Sequence, residues 1–382
     1  MHTRSEEKMK INKAYKFRLY PNSKQKSLLE KHFGHCRFLY NYFLSLRSNV
    51  WKEEKKSLSG FDCKKMISPM KKGNYPWLKE VNSQSLQESC LNLEKAFRRF
   101  FKGLGKYPRK HKKAKRQSFT VPQHFSVDFE NGNIKIPKFS DPIKCVIHRE
   151  MGDVAKINHL VISRTPTGEY FVAINVDAEI DEKKEEDSLT QEVGIDLGLN
   201  DFLVESNGKK VDAPRNLRKS LKRLKRKQKR LSKKIKGSKN RSKARKIVAK
   251  IHNKVANRRK DFLHKESRRI VDENQVIYLE DLNVKGMIKN RRLSLSISDA
   301  GWGEFVRQLK YKSEWAGRKV VQIGRFEPSS KLCSSCGHKL DTLPLSRRSW
   351  QCPECNTEHD RDINAAKNIL KIGQGVPKST PV

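Results

Sequence analysis

The sequence has 382 residues, enough for two or three domains at about 100–200 residues each. Charged residues make up 33% of the chain, and 84 Lys and Arg against 42 Asp and Glu give a formal net charge of +42. A compact protein of that charge repels itself unless a polyanion neutralises it. The composition therefore disfavours an ordinary metabolic enzyme and predicts binding to nucleic acid.

The sequence predicts neither a membrane protein nor a secreted one. The chain contains no run of about 18 apolar residues, and the initial MHTRSEEKMK has no apolar segment. We therefore expect no transmembrane helix, no secretory signal and no membrane partner. The 8 cysteines are too sparse for a secreted disulfide scaffold, so we expect a reducing, cytoplasmic location.

The first half of the chain changes from helical to strand-like patterning. Residues 11–20 alternate in the manner of a strand that ends at Pro21. Apolar residues at spacings of three and four predict helices from Lys24 to about Phe101, followed by a basic loop over 102–117. Residues 118–180 predict a series of β-strands with Asn-Gly and Thr-Gly turns.

The second half begins after an acidic stretch at 181–190, which is typical of a linker. Two strands turning at Asn207-Gly208 come first. The later predicted elements are a buried strand at 276–280, an amphipathic helix at 303–317, a strand at 318–326, a short helix at 364–371 and a loose tail at 373–382.

Residues 213–260 contain no acidic side chain. Leucines and isoleucines recur there at helical spacing, and Gly237-Ser238 interrupts them, so we expect an antiparallel helical hairpin with a basic surface. The alternatives are a solvated charged face or a disordered basic tail. The predicted nucleic-acid contacts on this hairpin are Lys222, Arg223, Lys225, Arg226 and Arg230.

Two Cys-x-x-Cys pairs separated by fifteen residues give the strongest single motif. The four cysteines are Cys333, Cys336, Cys352 and Cys355. Each pair presents two thiolates from one knuckle, so four together predict one closed structural Zn²⁺ site. The alternative is two redox or disulfide pairs. Asn356 tolerates a left-handed backbone, and His338 and His359 are expected not to be ligands because the cysteines fill the shell.

Three carboxylates form the second constellation. Asp196 lies in the apolar strand VGIDLG, Glu280 ends the apolar strand VIYLE, and Asp362 precedes a helix. A carboxylate in a buried strand is costly unless it is paired or holds a metal. Three that converge can hold two Mg²⁺ ions about 4 Å apart for in-line displacement at phosphorus. Each acid taken singly could instead be a helix cap or an ion-pair partner.

These motifs resemble the TnpB (OrfB) family, which are RNA-guided DNA nucleases of insertion sequences related to type V CRISPR effectors. The resemblance covers nearly the whole chain. The matching segments are AYKFRLYPN (14–22), FGHCRFLYN (33–41), LNLEKAFRRFF (91–101), YPR (107–109), GIDLGLNDF (194–202), YLEDLNVKGM (278–287), residues 291–321, FEPSSKLCSSCG (326–337) and CPECNTEHDRDINAAKNIL (352–370).

The resemblance implies a multidomain α/β fold built around an RNase H-like (RuvC) nuclease core. Asp196, Glu280 and Asp362 are its implied catalytic acids, with Asp281 and Asp360 as nearby rivals. The implied domains are a wedge β-barrel (1–22 and 118–180), an inserted helical recognition lobe (23–117), the core (191–330 and 357–372) and an inserted four-cysteine zinc ribbon (331–356).

The family also implies function and partners. A single protein copy would bind a guide RNA encoded with its element, in a prokaryotic cytoplasm, then recognise a short motif beside the target, open double-stranded DNA and cut it. Gln87 and Thr120 correspond to motif-reading positions, although Gln87 could equally be a polar residue on a solvated helix face. The alternative functions are a guided regulator without cleavage and a strand-transfer protein.

Nucleic-acid contacts are also expected in the basic loop, at Tyr107 and Arg109. Tyr107, Phe119 and Phe125 interleave with Lys and Arg in a pattern suited to base stacking. The alternative is that these rings belong to the core of the adjoining β-domain. His35 and Cys36 are expected to be packing residues.

Overall fold

The computed structural model describes residues 8–113, 116–151, 154–181, 190–325, 327–344 and 346–375. The chain divides into two compact units, Met1–Asp181 (unit 1) and Glu182–Val382 (unit 2), and each has a buried core of its own. Most of the predicted linker at 181–190 and of the predicted tail at 373–382 lies outside the described residues.

The described residues of unit 1 form three α-helices, a short 3₁₀ helix (Pro76–Glu80) and one sheet. Its elements are β1 (Lys8–Tyr20), α1 (Ser23–Glu54), α2 (Gly60–Lys72), α3 (Ser83–Phe101), β2 (Gln117–Val121), β3 (Ser126–Asp128), β4 (Asn133–Lys135), β5 (Ile143–Val146), β6 (Val154–Arg164) and β7 (Tyr170–Asp181). The sheet order is β2-β6-β7-β1-β5-β4-β3, and its neighbouring strands pair antiparallel. A β2–β3 pairing that would close a barrel is not among the pairs of the described strands, so closure stays a prediction.

Local sequence signals begin the helices of unit 1. The Asn22 side chain accepts from the Gln25 backbone N–H, and the Gln25 side chain accepts from the Asn22 N–H, which is a capping box. Ser59 and Asp62 form the same motif at the start of α2, a helix that the apolar spacing alone did not separate. Helical and sheet residues share one apolar core that includes Phe17, with the helical prediction for 24–101 resolved into three helices.

Unit 2 is built on a mixed sheet. Its elements are β8 (Glu192–Asp196), β9 (Asp201–Glu205), β10 (Lys210–Asp212), α4 (Asn216–Ser232), α5 (Lys239–Glu273), β11 (Val276–Glu280), α6 (Val284–Met287), α7 (Ser294–Ala300), α8 (Trp302–Trp315), β12 (Lys319–Ile323), β13 (Ser349–Gln351), β14 (Glu358–Asp360) and α9 (Arg361–Gly373). The sheet order is β10-β9-β8-β11-β12. Strands β8, β11 and β12 run parallel, while β9 is antiparallel to both of its neighbours.

Several predicted boundaries in unit 2 were wrong. The segment after the linker holds three strands rather than two, because a second reversal between β8 and β9 accompanies the predicted turn at Asn207-Gly208. Helix α5 continues past residue 260, since its last turns bury Leu263, Ile270 and Val271 in the core of unit 2. Strand β14 pairs with β13 beyond residue 356, and the predicted bounds of the zinc ribbon (331–356) stay a prediction.

The predicted helical hairpin at 213–260 is present as α4 and the first part of α5. Ser238 caps α5 by accepting from the Arg241 backbone N–H, so the break falls at the predicted Gly237-Ser238. Leu224, Val248 and Ile251 form the small core between the two helices. Ile235 is 80% exposed, which places it outside that core.

Among the described residues, no helix is both long and apolar enough to cross a lipid bilayer.

Candidate metal centres and nucleic-acid surfaces

Two of the predicted carboxylates end neighbouring parallel strands. Asp196 is the last residue of β8, and Glu280 is the last residue of β11. Leu279 lies opposite Ile195 in the register, so one further step brings Glu280 beside Asp196. Side chains two apart along a strand share a face, which places both carboxylates on the face of Gly194. Ligand sites of α/β sheets form at these carboxyl ends.

Helix α9 covers that face of the sheet and brings the third carboxylate. It approaches so closely that a Cβ on Gly194 would overlap the backbone carbonyl of Ala366, and a Cβ on Gly373 would overlap the Tyr278 ring. Tyr278, Ile323 and Ile369 fill the contact. This packing holds the first turn of α9, with Asp362, near the ends of β8 and β11.

The three carboxylates influence one another electrostatically. Burial raises the pKa of Asp196 to about 7, and the negative charges of Glu280 and Asp362 contribute to the rise, while Arg361 opposes them. Ionising these carboxylates together is unfavourable, and a bound cation would stabilise their ionised form. Carboxylate oxygens are the donors that Mg²⁺ prefers. The residues present therefore fit a divalent-cation site.

The described carboxylates are not compact enough to share one ion, since the only group of His, Cys, Asp or Glu in the described chain that meets this condition is the four-cysteine cluster. The number of cations that the carboxylates would hold therefore stays a prediction.

Neighbouring side chains orient two of these carboxylates. The buried Ser329 hydroxyl donates to Oε1 of Glu280 over 2.5 Å. Arg348 approaches Oδ2 of Asp362 at 3.3 Å from the segment that leads into β13. Neither Ser329 nor Arg348 was predicted, because nothing local in the sequence marks a residue that contacts an acid far along the chain.

The rival acids have structural partners instead. Asp281 forms an exposed ion pair with Arg325 at 2.5 Å. Asp360 caps α9 by accepting from the backbone N–H groups of its first turn, and it pairs with Lys210 at 2.6 Å. These contacts account for both residues without a catalytic role.

The four cysteines converge as their spacing predicted. The sulfurs of Cys333, Cys336, Cys352 and Cys355 all lie within 4.8 Å of one another. Zinc–sulfur bonds of about 2.3 Å in a tetrahedron place sulfurs about 3.8 Å apart, so the cluster is the right size for one Zn²⁺. The cluster is compatible with zinc and leaves no position for a fifth protein ligand.

The residues around the cysteines support that site. Thr357 hydrogen-bonds the Cys355 sulfur at 3.2 Å and lowers the pKa of that thiol, which favours the ligating thiolate. His359 lies with Nε2 3.0 Å from the Cys333 sulfur and its ring against Trp350, so it contacts a ligand without being one of the four. Asn356 adopts the expected left-handed backbone, with φ of 55°.

The predicted contact residues of the hairpin lie on its outer surface. Each of the following side chains is exposed, while Leu224 between them is buried: Lys222, Arg223, Lys225, Arg226 and Arg230. The hairpin therefore presents exposed cations, and residues 213–260 contain no carboxylate that could neutralise them.

Unit 1 contains a cavity of about 920 Å³ between α1, α3 and β2. Thr120 and Arg109 line it, together with Lys95, Lys110 and Arg116, so its wall is strongly basic. Gln87 is half-buried on α3 and is not among the lining residues.

Of the three aromatic residues predicted to stack on bases, one lies in the core of unit 1, one packs against that core and one lies at the surface. Phe119 is 4% exposed and stacks on His32 with ring centroids 4.9 Å apart, so the core alternative is confirmed for it. Phe125 packs against the same core. Tyr107 is 45% exposed, with its hydroxyl 2.7 Å from that of Ser48, and is available at the surface.

The two predicted packing residues behave as expected. Cys36 is buried in the core of unit 1, and the His35 ring packs edge-on against Trp77 with centroids 4.5 Å apart.

Comparison with known proteins adds three family matches. Residues 173–291 match the OrfB_IS605 model, described as "Probable transposase", and residues 302–369 match "Cas12f1-like, TNB domain". Residues 9–56 match "Helix-turn-helix domain", although here they form strand β1 and the single long helix α1.

Two relatives match nearly the whole chain. The chain is 37% identical to a "Putative RNA-guided DNA endonuclease" of Streptomyces pristinaespiralis over 95% of this chain and 90% of the relative. It is 29% identical to "Putative RNA-guided DNA endonuclease InsQ" of Escherichia coli, covering 96% and 94%. The fold resembles the protein of a cryo-EM Cas12f1–sgRNA–target DNA complex with a TM-score of 0.55 and 13% identity, covering 94% of this chain and 99% of that one.

Fold and site together define a basic, two-unit α/β protein with a cysteine cluster and a Cas12f-like architecture. The chain belongs to the TnpB (OrfB) family of insertion-sequence proteins.

Proposed function

We propose that this protein is an RNA-guided DNA endonuclease that hydrolyses phosphodiester bonds at a pair of Mg²⁺ ions held by Asp196, Glu280 and Asp362. The observation that carries the proposal is that Asp196 and Glu280 end the neighbouring strands β8 and β11, while the charges of Glu280 and of Asp362 on α9 help to raise the pKa of Asp196. The names of the 37% and 29% identical relatives support the same activity. The mixed sheet with its covering helix supports the RNase H-like interpretation.

The bound ions would activate the attacking water and stabilise the leaving oxygen. The protein contributes the positions of the ligands. Ser329 restricts the orientation of Glu280, and Arg348 lies beside Asp362 with a side chain that is 54% exposed. An exposed guanidinium beside the site can also bind a phosphate oxygen of DNA through its remaining N–H donors.

The basic surfaces would hold the nucleic acids. The exposed cations of α4 suit the phosphates of a guide RNA. A guide RNA that also forms a duplex of about 20 base pairs with its target carries enough negative charge to neutralise a chain of +42. Base pairing would then select the target, while Gln87 and Thr120 would contact the short adjacent motif from unit 1, with Tyr107 and Arg109 on the same nucleic acid.

The decisive test is replacement of one carboxylate. Asp196→Ala should abolish cleavage of a matched target in Mg²⁺ while leaving guide-RNA affinity unchanged, because the carboxylate would contact the ions and not the guide. Asp281→Asn is the matched control, since Asp281 pairs with Arg325 at the surface, and it should cut normally.

The assay follows cleavage of labelled plasmid by the protein purified with RNA from its own locus. Normal cutting by the Asp196→Ala variant would overturn the metal assignment. Strands joined end to end instead of cut would favour the strand-transfer alternative, and absence of locus-derived RNA would contradict the guided activity.

A further inference from the structure

The loop at residues 327–334, here called the knuckle loop, leads from β12 to the first cysteine pair and contacts a carboxylate of the proposed site. Ser329 is buried, and its hydroxyl donates to Oε1 of Glu280 over 2.5 Å. An ionised carboxylate has about four lone-pair positions, so one hydrogen bond on Oε1 leaves Oε2 and the remaining positions free for a cation. The bond therefore fixes the carboxylate without occupying it.

Two buried asparagines of α9 hold the backbone of the same loop. The Asn368 amide donates to the Ser329 carbonyl at 2.7 Å and to the Leu332 carbonyl at 2.6 Å. The Asn364 amide donates to the Leu332 carbonyl at 2.8 Å, and its oxygen accepts from the Ser334 backbone N–H at 2.9 Å. Asn364 and Asn368 are 2% and 1% exposed, so these bonds are shielded from water.

The asparagine contacts lie on either side of a cysteine of the cluster. Cys333 stands between Leu332 and Ser334, and its own backbone N–H donates to the His338 carbonyl at 2.8 Å within the knuckle. The backbone at Cys333, the first cysteine of the cluster, is therefore part of the loop that orients Glu280. Asn364 also follows Asp362 by two residues on α9, so the loop contacts elements carrying two of the three carboxylates.

We propose that the knuckle loop couples zinc binding at the cysteine cluster to cation binding at the carboxylates, with Ser329 as the positioning residue for Glu280. The inference rests on the proposed function, because it takes the carboxylates as the ligands of a divalent cation. A bound zinc would fix the position of Cys333, the asparagine hydrogen bonds fix the loop backbone beside it, and Ser329 in that loop orients Glu280. Without zinc, only the asparagine hydrogen bonds would hold the loop.

Direct measurement of cation binding tests the coupling without relying on cleavage. Mn²⁺, which is paramagnetic and takes the same oxygen ligands as Mg²⁺, is titrated into the zinc-loaded full chain and followed by electron paramagnetic resonance. Ser329→Ala should weaken Mn²⁺ binding by about tenfold, the lower end of the effect usual for residues that orient metal ligands. Ser329→Thr keeps the hydroxyl and should restore the affinity.

The neighbouring serine supplies the matched control. Ser330 has no hydrogen bond to Glu280 among the described residues, so Ser330→Ala should bind Mn²⁺ like the unchanged chain. In the cleavage assay, Ser329→Ala should need more Mg²⁺ for half-maximal rate yet recover most of the rate at saturation. A merely destabilised protein would lose rate at every Mg²⁺ concentration.

The zinc arm uses Cys336→Ser, which removes a predicted zinc ligand that lies outside residues 327–334 of the knuckle loop. It should also weaken Mn²⁺ binding, and combining it with Ser329→Ala should add little, because both changes interrupt one path. Circular dichroism verifies that each variant is folded. Because Ser329→Ala leaves all four cysteines intact, it keeps the inference testable if the ribbon of Cys336→Ser unfolds.

Glu280→Gln distinguishes a failure of the coupling from a failure of the proposed function. If Glu280→Gln loses Mn²⁺ binding while Ser329→Ala and Cys336→Ser retain it, the coupling is refuted and the proposed function stands. If Glu280→Gln binds Mn²⁺ normally, the carboxylates are not the ligands, and the proposed function fails together with the coupling.

Discussion

At the scale of single residues, Gly194 determines how closely α9 can approach β8. A methyl group there would overlap the Ala366 carbonyl and crowd Leu370, so the helix would have to move away. We predict that Gly194→Ala lowers the free energy of unfolding of unit 2 by about 1–3 kcal/mol, the usual cost of overpacking. It should also slow cleavage, because Asp362 moves with α9.

Urea denaturation measures the stability change. Gly303→Ala is the control, because a methyl group on Gly303 in α8 meets no heavy atom within 4 Å. That control should be neutral or slightly stabilising, since alanine favours a helix over glycine. Equal stabilities for the two variants would show that α9 does not need the close approach.

His32 makes the stability of unit 1 sensitive to acid. Its Nδ1–H donates to the Leu28 carbonyl at 2.9 Å, and its Nε2 accepts from the Asn82 backbone N–H at 3.2 Å, an arrangement that requires the neutral ring. Burial lowers the pKa of His32 from 6.5 to about 4. The unfolded chain therefore takes up a proton at a higher pH than the folded unit does.

The sign of the effect follows from proton linkage. Stability is fully present above pH 6.5 and falls as the pH drops towards 4, by about 3 kcal/mol at 1.36 kcal/mol per pKa unit. Urea unfolding of unit 1 between pH 7.5 and 4.5 measures this slope. His32→Gln should flatten it, whereas His124→Asn, at an exposed turn, should not. An unchanged slope in His32→Gln would assign the acid sensitivity to other groups.

At the scale of elements, the α4–α5 hairpin has apolar side chains between its helices and cations on its exposed surface. Its small core of Leu224, Val248 and Ile251 faces inward. The buried carboxylate of Asp299 on α7 accepts from the Leu217 backbone N–H at 2.9 Å and so caps the start of α4. The exposed cations make no contribution to either contact, so they are free to bind phosphates.

Removing those cations should weaken RNA binding without unfolding the hairpin. We predict that replacing all five predicted contacts (Lys222, Arg223, Lys225, Arg226 and Arg230) by Gln lowers the slope of log affinity against log salt by about 3–4 units. Filter binding across a salt series measures the slope, and thermal denaturation verifies the fold. Arg→Lys at the three arginines keeps the charge and should preserve the slope. A slope unaffected by the five changes would show that the guide binds elsewhere.

At the scale of the whole molecule, each unit has its own apolar core. Helices and sheet share one cluster in unit 1, and the mixed sheet packs against α5 and α8 in unit 2. We predict that residues 1–181 and 182–382, produced separately, each unfold cooperatively, because neither unit needs the other to bury its core. Circular dichroism on heating measures this for both fragments.

Zinc should distinguish the two fragments. Chelation should lower the melting temperature of the 182–382 fragment, which contains the cysteine cluster, and leave the 1–181 fragment unaffected. A gradual, non-cooperative loss of structure in either zinc-loaded fragment would contradict the division into independent units.

Features encoded by local spacing could be predicted from the sequence. The cysteine pairs, the interruption at Gly237-Ser238 and the strand-terminal position of Glu280 follow from periodicity and from short motifs. Asp196 was predicted within its strand, whereas β8 ends at this residue. The family likeness was equally visible, because its motifs are contiguous. The reversal between β8 and β9 was missed, since only residues 197–200 separate the two strands and the segment before Asn207 was interpreted as one strand.

Contacts between distant residues were decided only by the tertiary structure. Ser329 and Glu280 are 49 positions apart, and no local pattern in either segment indicates the other. The need for glycine at 194 likewise arises from a helix that begins more than a hundred residues later. Composition and spacing determined which chemical groups this chain possesses; the packing of α9 and the knuckle loop decided which of them meet, because side-chain contacts depend on three-dimensional proximity that the order of residues does not state.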